Sequence, residues 1–187
     1  MRRVFSRSVT IPDQLTVARA LSVPVVVTLF AWPFPNHAYW ATALFIVAMA
    51  TDQIDGWLAR RWNQTSALGA LLDPIADKVL VLAAMTMVVG QHVVPAWMVA
   101  AIVGRELIVS GLRMAALERQ IVIAARDLGK LKTWAQAVAV GVGGFAAAGA
   151  WSTRAAWWAF LVAVVLTWLS ALDYARVTPR MLRGEQP

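Results

Sequence analysis

The sequence contains no cysteine among its 187 residues. Disulfides, thiolate-ligated metals and cysteine nucleophiles are therefore excluded. Charge is also scarce, because 14% of the residues are charged whereas a soluble domain carries about 25%. Hydrophobic residues make up 60% of the chain, and the mean hydropathy is +0.63. This balance excludes an ordinary soluble domain and predicts a protein embedded in a lipid bilayer.

The apolar stretches predict six helices. A membrane-spanning helix needs roughly 20 apolar residues, so about six spans would leave no room for a separate soluble catalytic domain. The apolar runs predict helices near residues 14–33, 38–60, 66–91, 94–118, 129–150 and 155–177. We therefore expect one all-α, membrane-embedded catalytic domain over residues 1–187, with a segment at 1–13 before the spans and a tail at 178–187.

Basic residues are distributed unequally between the two ends of these spans. One side carries Arg2, Arg3, Arg7, Arg60, Arg61, Arg119, Arg126, Lys130, Lys132, Arg176, Arg180 and Arg183. The connections on the other side carry Arg154 alone. The positive-inside rule then places both termini in the cytoplasm, as an even number of spans requires. A cleaved signal peptide in residues 1–33 is the alternative, and Arg19 inside that segment argues against it.

The formal charge of +7 has two possible readings. In a soluble protein it would suggest nucleic-acid binding, but in a membrane protein basic residues orient the helices and attract anionic lipid headgroups. Because nearly all of the surplus lies on the side predicted to be cytoplasmic, we expect membrane lipids as partners and no nucleic acid.

Four aspartates lie where a bilayer would exclude them. Asp52 and Asp55 are three residues apart on the second predicted span, and Asp73 and Asp77 are four apart on the third, so each pair projects from one helical face. Each ionised carboxylate facing lipid would cost about 3 kcal/mol. Since the two spans are antiparallel and joined by a short turn on the cytoplasmic side, we expect the four carboxylates to share one water-accessible cavity.

Carboxylates placed so close together repel one another unless cations join them. An all-oxygen cluster suits Mg²⁺, Mn²⁺ or Ca²⁺, while ion pairs with Arg60, Lys78 and Arg105 are the alternative interpretation. Divalent ions can hold a diphosphate while a carboxylate takes a proton from an attacking hydroxyl, which favours phosphoryl transfer. A histidine base is disfavoured because His37 and His92 both map to the opposite side of the membrane.

The same aspartates belong to a longer motif. It reads Asp52-Gln-Ile-Asp55-Gly56-Trp-Leu-Ala59-Arg60, eight further residues, and Gly69-Ala-Leu-Leu-Asp73-Pro-Ile-Ala-Asp77. This segment resembles the signature of the CDP-alcohol phosphatidyltransferase family, DxxDGxxAR followed by GxxxDxxxD, at every fixed position.

The resemblance extends over most of residues 11–133. The segments 11–19, 104–113 and 128–133 are similar to elements of the bacterial phosphatidylglycerophosphate synthase branch of the family. One departure is Asp13, where related enzymes often carry asparagine.

The resemblance implies a Mg²⁺- or Mn²⁺-dependent transfer of the phosphatidyl group from CDP-diacylglycerol to an alcohol, with release of CMP. Carried over by position, Asp52, Asp55 and Asp73 are metal ligands, and Asp77 is the catalytic base and shares a metal. The residues implied to contact CDP-diacylglycerol are Gly56, Ala59, Arg60, Gly69, Thr16 and Arg19. A helix cap and a headgroup anchor would explain the last two equally well. The resemblance further implies a homodimer and a multi-pass protein of the bacterial cytoplasmic membrane, with its active site facing the cytoplasm.

A second group of basic residues predicts where the acceptor binds. Arg105 and Arg113 are two turns apart on the fourth predicted span, and Lys130 and Lys132 open the fifth. Such a cluster favours a phosphorylated acceptor, and glycerol 3-phosphate meets that requirement. The alternative is that the two lysines merely anchor at anionic headgroups. We do not expect Arg105 to pair with Glu106, since adjacent helical residues point about 100° apart.

Two rival functions remain open at this point. Within the family, the alternative acceptors are inositol phosphate, and phosphatidylglycerol as in cardiolipin synthesis. From a different class, a divalent-cation transporter also places carboxylates within spans. A transporter is expected to carry polar residues across the full membrane depth, whereas the outer halves of spans two and three are almost wholly apolar.

Overall fold

The computed structural model is all-helical over the residues that it describes, which are 11–62, 67–118 and 127–182. Within these ranges, the described side chains are those of residues 17–51, 78–112, 114 and 129–172. The helices are α1 (Ile11–Ala31), α2 (His37–Trp62), α3 (Ala67–Gly90), α4 (Ala96–Glu118), α5 (Asp127–Ala147) and α6 (Thr153–Leu182). All six predicted helices are present, and their ends agree with the predicted ends to within a few residues.

The chain divides into two compact units. The first, Met1–Ala84, contains α1, α2 and most of α3. Helices α1 and α2 pack against each other, and its buried side chains include Phe30 of α1 and Phe45 of α2. Burial of these large apolar groups gives the first unit a core of its own.

The second unit, Met85–Pro187, contains the end of α3 and helices α4, α5 and α6. Helix α6 packs against both α5 and α4, and its buried side chains include Met98, Ile102, Val140 and Phe160. All the interhelical polar contacts described below lie within this unit. The prediction of one domain over the whole chain stays a prediction.

A tight turn sets the register between α5 and α6. Helix α5 ends in a Schellman motif, in which Gly149 adopts a φ of 75° and the amide of Ala150 donates to the carbonyl of Phe145 over 2.9 Å. Ser152 then caps α6 by accepting a hydrogen bond from the amide of Ala155 over 3.2 Å. The two helices therefore run antiparallel, and residues equally far from the turn face each other.

The second unit exposes apolar side chains and buries charged ones. Leu107, Ile108, Leu131 and Trp134 are exposed, whereas Arg105, Glu106, Lys132 and Gln136 on the same helices are buried. Soluble proteins show the opposite arrangement, because charged groups there prefer water. Exposed apolar surface on this scale is typical of helices that contact lipid.

One segment of α6, Thr153–Leu172, is both long and apolar enough to cross a membrane by itself among the described residues. Shorter apolar segments occupy Val17–Ala31, His37–Thr51 and Lys78–Gly90. The helices and their number agree with the sequence prediction, while the crossing of the membrane by all six, and the cytoplasmic position of both termini, stay predictions.

Candidate active site

The acidic motif lies on two helices, as its spacing predicts. Asp52 and Asp55 fall in α2, and Asp73 and Asp77 fall in α3. Because the backbone is helical at all four positions, each pair occupies one face of its helix. Their side chains lie outside the described residues, so their roles as metal ligands, and that of Asp77 as base, stay predictions.

The residues predicted to contact CDP-diacylglycerol lie on the first three helices. Gly56, Ala59 and Arg60 belong to α2, Gly69 to α3, and Thr16 and Arg19 to α1. Of these, Arg19 alone has a described side chain, and it is buried with 4% exposure. A headgroup anchor would reach toward solvent, so the burial of Arg19 favours an internal role over the anchoring alternative.

The second unit brings two of the predicted acceptor-binding cations together. Arg105 of α4 and Lys132 of α5 are both buried, and both contact Glu106. Arg105 Nη1 donates to Glu106 Oε1 over 3.0 Å, and Lys132 Nζ donates to the same oxygen over 2.5 Å. Arg105 also donates through Nη2 to Ser170 Oγ of α6, again over 3.0 Å. One cluster of four side chains therefore joins all three helices.

The expectation that Arg105 does not pair with Glu106 is wrong. Their Cα–Cβ bonds do diverge around the helix, but both side chains are long and can turn toward each other. Burial favours that geometry, because an unpaired carboxylate or guanidinium inside the protein would lose its hydration without compensation. Lys132 approaches from α5 and contacts the same carboxylate oxygen of Glu106.

The structure says less about the binding roles of the other two predicted acceptor-binding residues, Lys130 and Arg113. Lys130 is exposed at the beginning of α5, which suits either a contact with an incoming substrate or a headgroup anchor. Arg113 belongs to α4, and its side chain lies outside the described residues. Their binding roles stay predictions.

A second buried polar contact continues the cluster along α5 and α6. Gln136 Nε2 donates to Thr167 Oγ1 over 2.9 Å. Gln136 lies one turn after Lys132, and Thr167 lies one turn before Ser170, so the register set by the turn at Gly149 brings Gln136 and Thr167 together.

Sequence reasoning missed Ser170, Gln136 and Thr167, and it predicted no contact between Glu106 and Arg105. A usable signal was present, since polar residues recur at helical spacing on otherwise apolar segments of α5 and α6. Residue spacing alone cannot predict the pairing of Glu106 with Arg105, because it does not include the length of the two side chains.

Comparison with known proteins agrees with the motif. The family model described as CDP-alcohol phosphatidyltransferase matches residues 9–169. A CDP-diacylglycerol–glycerol-3-phosphate 3-phosphatidyltransferase of Escherichia coli (strain K12) is 41% identical over 169 residues, which cover 88% of this chain and 92% of that protein.

A protein of the same description from Bacillus subtilis (strain 168) is 39% identical over 142 residues, covering 70% of this chain and 74% of its own length. The family match spans all six helices apart from the end of α6. The acidic motif on α2 and α3 and the basic cluster on α4 and α5 thus fall inside the matched region, and the chain belongs to the CDP-alcohol phosphatidyltransferase family.

Proposed function

We propose that this chain transfers the phosphatidyl group from CDP-diacylglycerol to sn-glycerol 3-phosphate, giving phosphatidylglycerophosphate and CMP in phospholipid synthesis. The relatives that bear this description align with most of the chain at about 40% identity. The observation that carries the acceptor assignment is the buried pair of cations, Arg105 and Lys132, on α4 and α5. A guanidinium and an ammonium group together suit a phosphate.

Divalent cations belong to this chemistry, because the family generally depends on them. The donor set fits, since Asp52, Asp55, Asp73 and Asp77 supply carboxylate oxygens in pairs on two helices. Hard ions such as Mg²⁺ and Mn²⁺ prefer oxygen ligands. Among the side chains that the structure describes, no group of three or more acidic or histidine residues offers an alternative site. Bound to these aspartates, Mg²⁺ or Mn²⁺ would neutralise the charge of the diphosphate.

The reaction is a direct displacement. Asp77 takes the proton from the primary hydroxyl of glycerol 3-phosphate, and the hydroxyl oxygen attacks the phosphorus that carries diacylglycerol. The bond between that phosphorus and the oxygen bridging to CMP breaks, and CMP leaves with the electron pair. Arg60 pairs with the diphosphate, while Arg105, Arg113, Lys130 and Lys132 bind the acceptor phosphate.

Small residues make room for the nucleotide. Gly56, Ala59 and Gly69 leave the helix backbone open to the cytidine, and Thr16 and Arg19 of α1 contact the same substrate. We place the protein in the bacterial cytoplasmic membrane as a multi-pass homodimer with its active site facing the cytoplasm. The bias of basic residues toward that side supports this orientation, and the homodimer is what the family resemblance implies.

The assignment is tested by acceptor selection. Purified protein in detergent–lipid micelles is supplied with CDP-diacylglycerol, Mg²⁺ and one radiolabelled acceptor at a time: glycerol 3-phosphate, inositol phosphate, or phosphatidylglycerol. The labelled transfer product should form from glycerol 3-phosphate at a rate at least tenfold above the rate of product formation from either other acceptor. A preference for either alternative acceptor would assign the chain to a different branch of the family.

A binding measurement separates the transferase from a divalent-cation transporter. CMP should raise the thermal unfolding midpoint of the purified protein when Mg²⁺ is present and leave it unchanged when EDTA is added. A transporter would respond to the cation alone, with no additional shift from CMP.

A further inference from the structure

Glu106 contacts both of the buried cations assigned to the acceptor phosphate. Arg105 and Lys132 donate to the same oxygen, Oε1, over 3.0 and 2.5 Å. Their cationic nitrogens therefore lie no more than about 5.5 Å apart, which is the sum of the two distances. Since each charge-assisted hydrogen bond to a phosphate oxygen is about 2.8 Å long, one phosphate can accept from both cations at this spacing.

Arg105 and Lys132 combine positive charge with several N–H groups, which is the chemistry that a phosphate requires. A guanidinium carries five N–H groups and an ammonium three, and the contacts described above for these groups are with Glu106 and Ser170. Arg105, Lys132 and Glu106 together carry a formal charge of +1, so an anion would still be attracted.

The two cations cannot hold this arrangement unaided. At the same spacing they repel each other in a buried environment, where the effective dielectric constant is lower than in water. Glu106 offsets the repulsion from one side, and Ser170 fixes the second guanidinium nitrogen of Arg105 from the other.

We propose that Glu106 is the positioning residue of the acceptor pocket: it holds Arg105 and Lys132 as a preformed receptor for the phosphate of glycerol 3-phosphate, with Ser170 as its support. This inference rests on the proposed function. Glu106 contacts the cations and acts through them, so its removal should affect the acceptor far more than the nucleotide lipid.

Glu106→Gln provides the principal test. Glutamine has the same shape and keeps an oxygen that can accept a hydrogen bond, but it has no negative charge to offset the repulsion between Arg105 and Lys132. We expect the KM for glycerol 3-phosphate to rise about tenfold or more, with the KM for CDP-diacylglycerol and kcat each changed less than threefold. Glu106→Asp, which restores the charge, should recover part of the loss.

A matched control distinguishes positioning from general packing. Thr167→Val removes the buried hydrogen bond that Thr167 of α6 accepts from Gln136 of α5. This bond lies one turn from Ser170 and Lys132 and involves neither cation. Its KM for glycerol 3-phosphate should stay within twofold of the parent. If Thr167→Val and Glu106→Gln raised this KM equally, the role of Glu106 would be structural only.

Two further outcomes would overturn the inference. An unchanged KM for glycerol 3-phosphate in a folded Glu106→Gln protein would exclude positioning. A lowered KM would mean that Glu106 merely weakens the positive charge of the pocket. If Glu106→Gln does not fold, Ser170→Ala takes its place, with an expected rise of about threefold and an unchanged KM as the contrary result.

A binding readout keeps this inference separate from the proposed function. Glycerol 3-phosphate should raise the thermal unfolding midpoint of the parent protein, and Glu106→Gln should lose that shift while keeping the shift caused by CMP with Mg²⁺. If the parent bound glycerol 3-phosphate but did not transfer to it, the proposed function would fail while the role of Glu106 in binding could still be measured. If the parent showed no shift with glycerol 3-phosphate, the pocket itself would be refuted.

Discussion

Asp77 is the residue on which the proposed proton transfer depends. Asp77→Asn keeps the size of the side chain but removes its ability to take the hydroxyl proton. Turnover should fall by a factor of about 10² to 10⁴, the usual contribution of a general base. CDP-diacylglycerol binding should be largely retained, as measured by the thermal shift that this lipid produces with Mg²⁺. Substantial remaining activity would mean that another group accepts the proton.

Arg113 tests the extent of the acceptor pocket along α4. It lies two turns after Arg105, so it falls on the same helical face. Arg113→Ala should raise the KM for glycerol 3-phosphate more than the KM for CDP-diacylglycerol, because an acceptor contact is lost. Steady-state kinetics with each substrate varied in turn provides the measurement. Equal effects on both values would remove Arg113 from the acceptor pocket.

At the level of single residues, the sequence indicates which side chains can carry out the chemistry, but it says much less about which side chains contact one another. The aspartates at 52, 55, 73 and 77 attract notice because carboxylates are costly inside a bilayer. The pairing of Arg105 with Glu106 could not be obtained from spacing, since it depends on the reach of long side chains and on Lys132 approaching from another helix.

Gly143 shows how closely the helices of the second unit pack. A Cβ atom at this position would lie 2.8 Å from Val88 Cγ1 and 3.0 Å from Phe160 Cε2. Both neighbours are fully buried, so neither can move away freely. This glycine therefore permits α5 to approach α6 and the end of α3, as small residues do in membrane helices.

Substitution of Gly143 should therefore destabilise the protein. Gly143→Ala is expected to cost about 1 to 3 kcal/mol through overpacking, measured as a lower thermal unfolding midpoint in detergent. Gly111→Ala in α4 is the matched control, because a Cβ atom there meets no atom within 4 Å. The control should be neutral or slightly stabilising, since alanine favours helix. Equal midpoints for the two variants would contradict the packing described for Gly143.

The existence of each helix could be predicted from the sequence, and its contacts could not. Apolar runs and the breaks between them locate six helices, because apolar length is a strong signal. The polar contact between Gln136 and Thr167 depends on the turn geometry at Gly149, which fixes which residues of α5 and α6 face each other. Gly149 itself identifies a turn, but its register follows only from the structure.

The distribution of exposed and buried residues supports a membrane protein on the scale of the whole molecule. Tryptophans are exposed near helix ends, including Trp32, Trp40, Trp97 and Trp151, as in interfacial belts. The bias of basic residues toward one side of the predicted spans also predicts the orientation of the protein in the membrane. Composition therefore predicted the class of protein correctly, while the number of helices that cross the membrane stays a prediction from charge and length.

The absence of native cysteine makes the topology directly testable. Each introduced cysteine is unique in the chain, and the parent protein is the unlabelled control. Ala150→Cys, in the exposed turn between α5 and α6, should react with a membrane-impermeant maleimide in spheroplasts. Gln120→Cys, in the connection predicted to be cytoplasmic, should react only after permeabilisation. The reverse pattern would invert the orientation inferred from the basic residues.

The coupling of CMP release to acceptor consumption tests the central claim most directly. Purified protein is given CDP-diacylglycerol and Mg²⁺, and CMP and lipid product are quantified with and without glycerol 3-phosphate. Direct displacement predicts that CMP appears only when glycerol 3-phosphate is present, with one phosphatidylglycerophosphate formed per CMP. Release of CMP at a comparable rate without the acceptor would make the protein a hydrolase of CDP-diacylglycerol and would contradict the account.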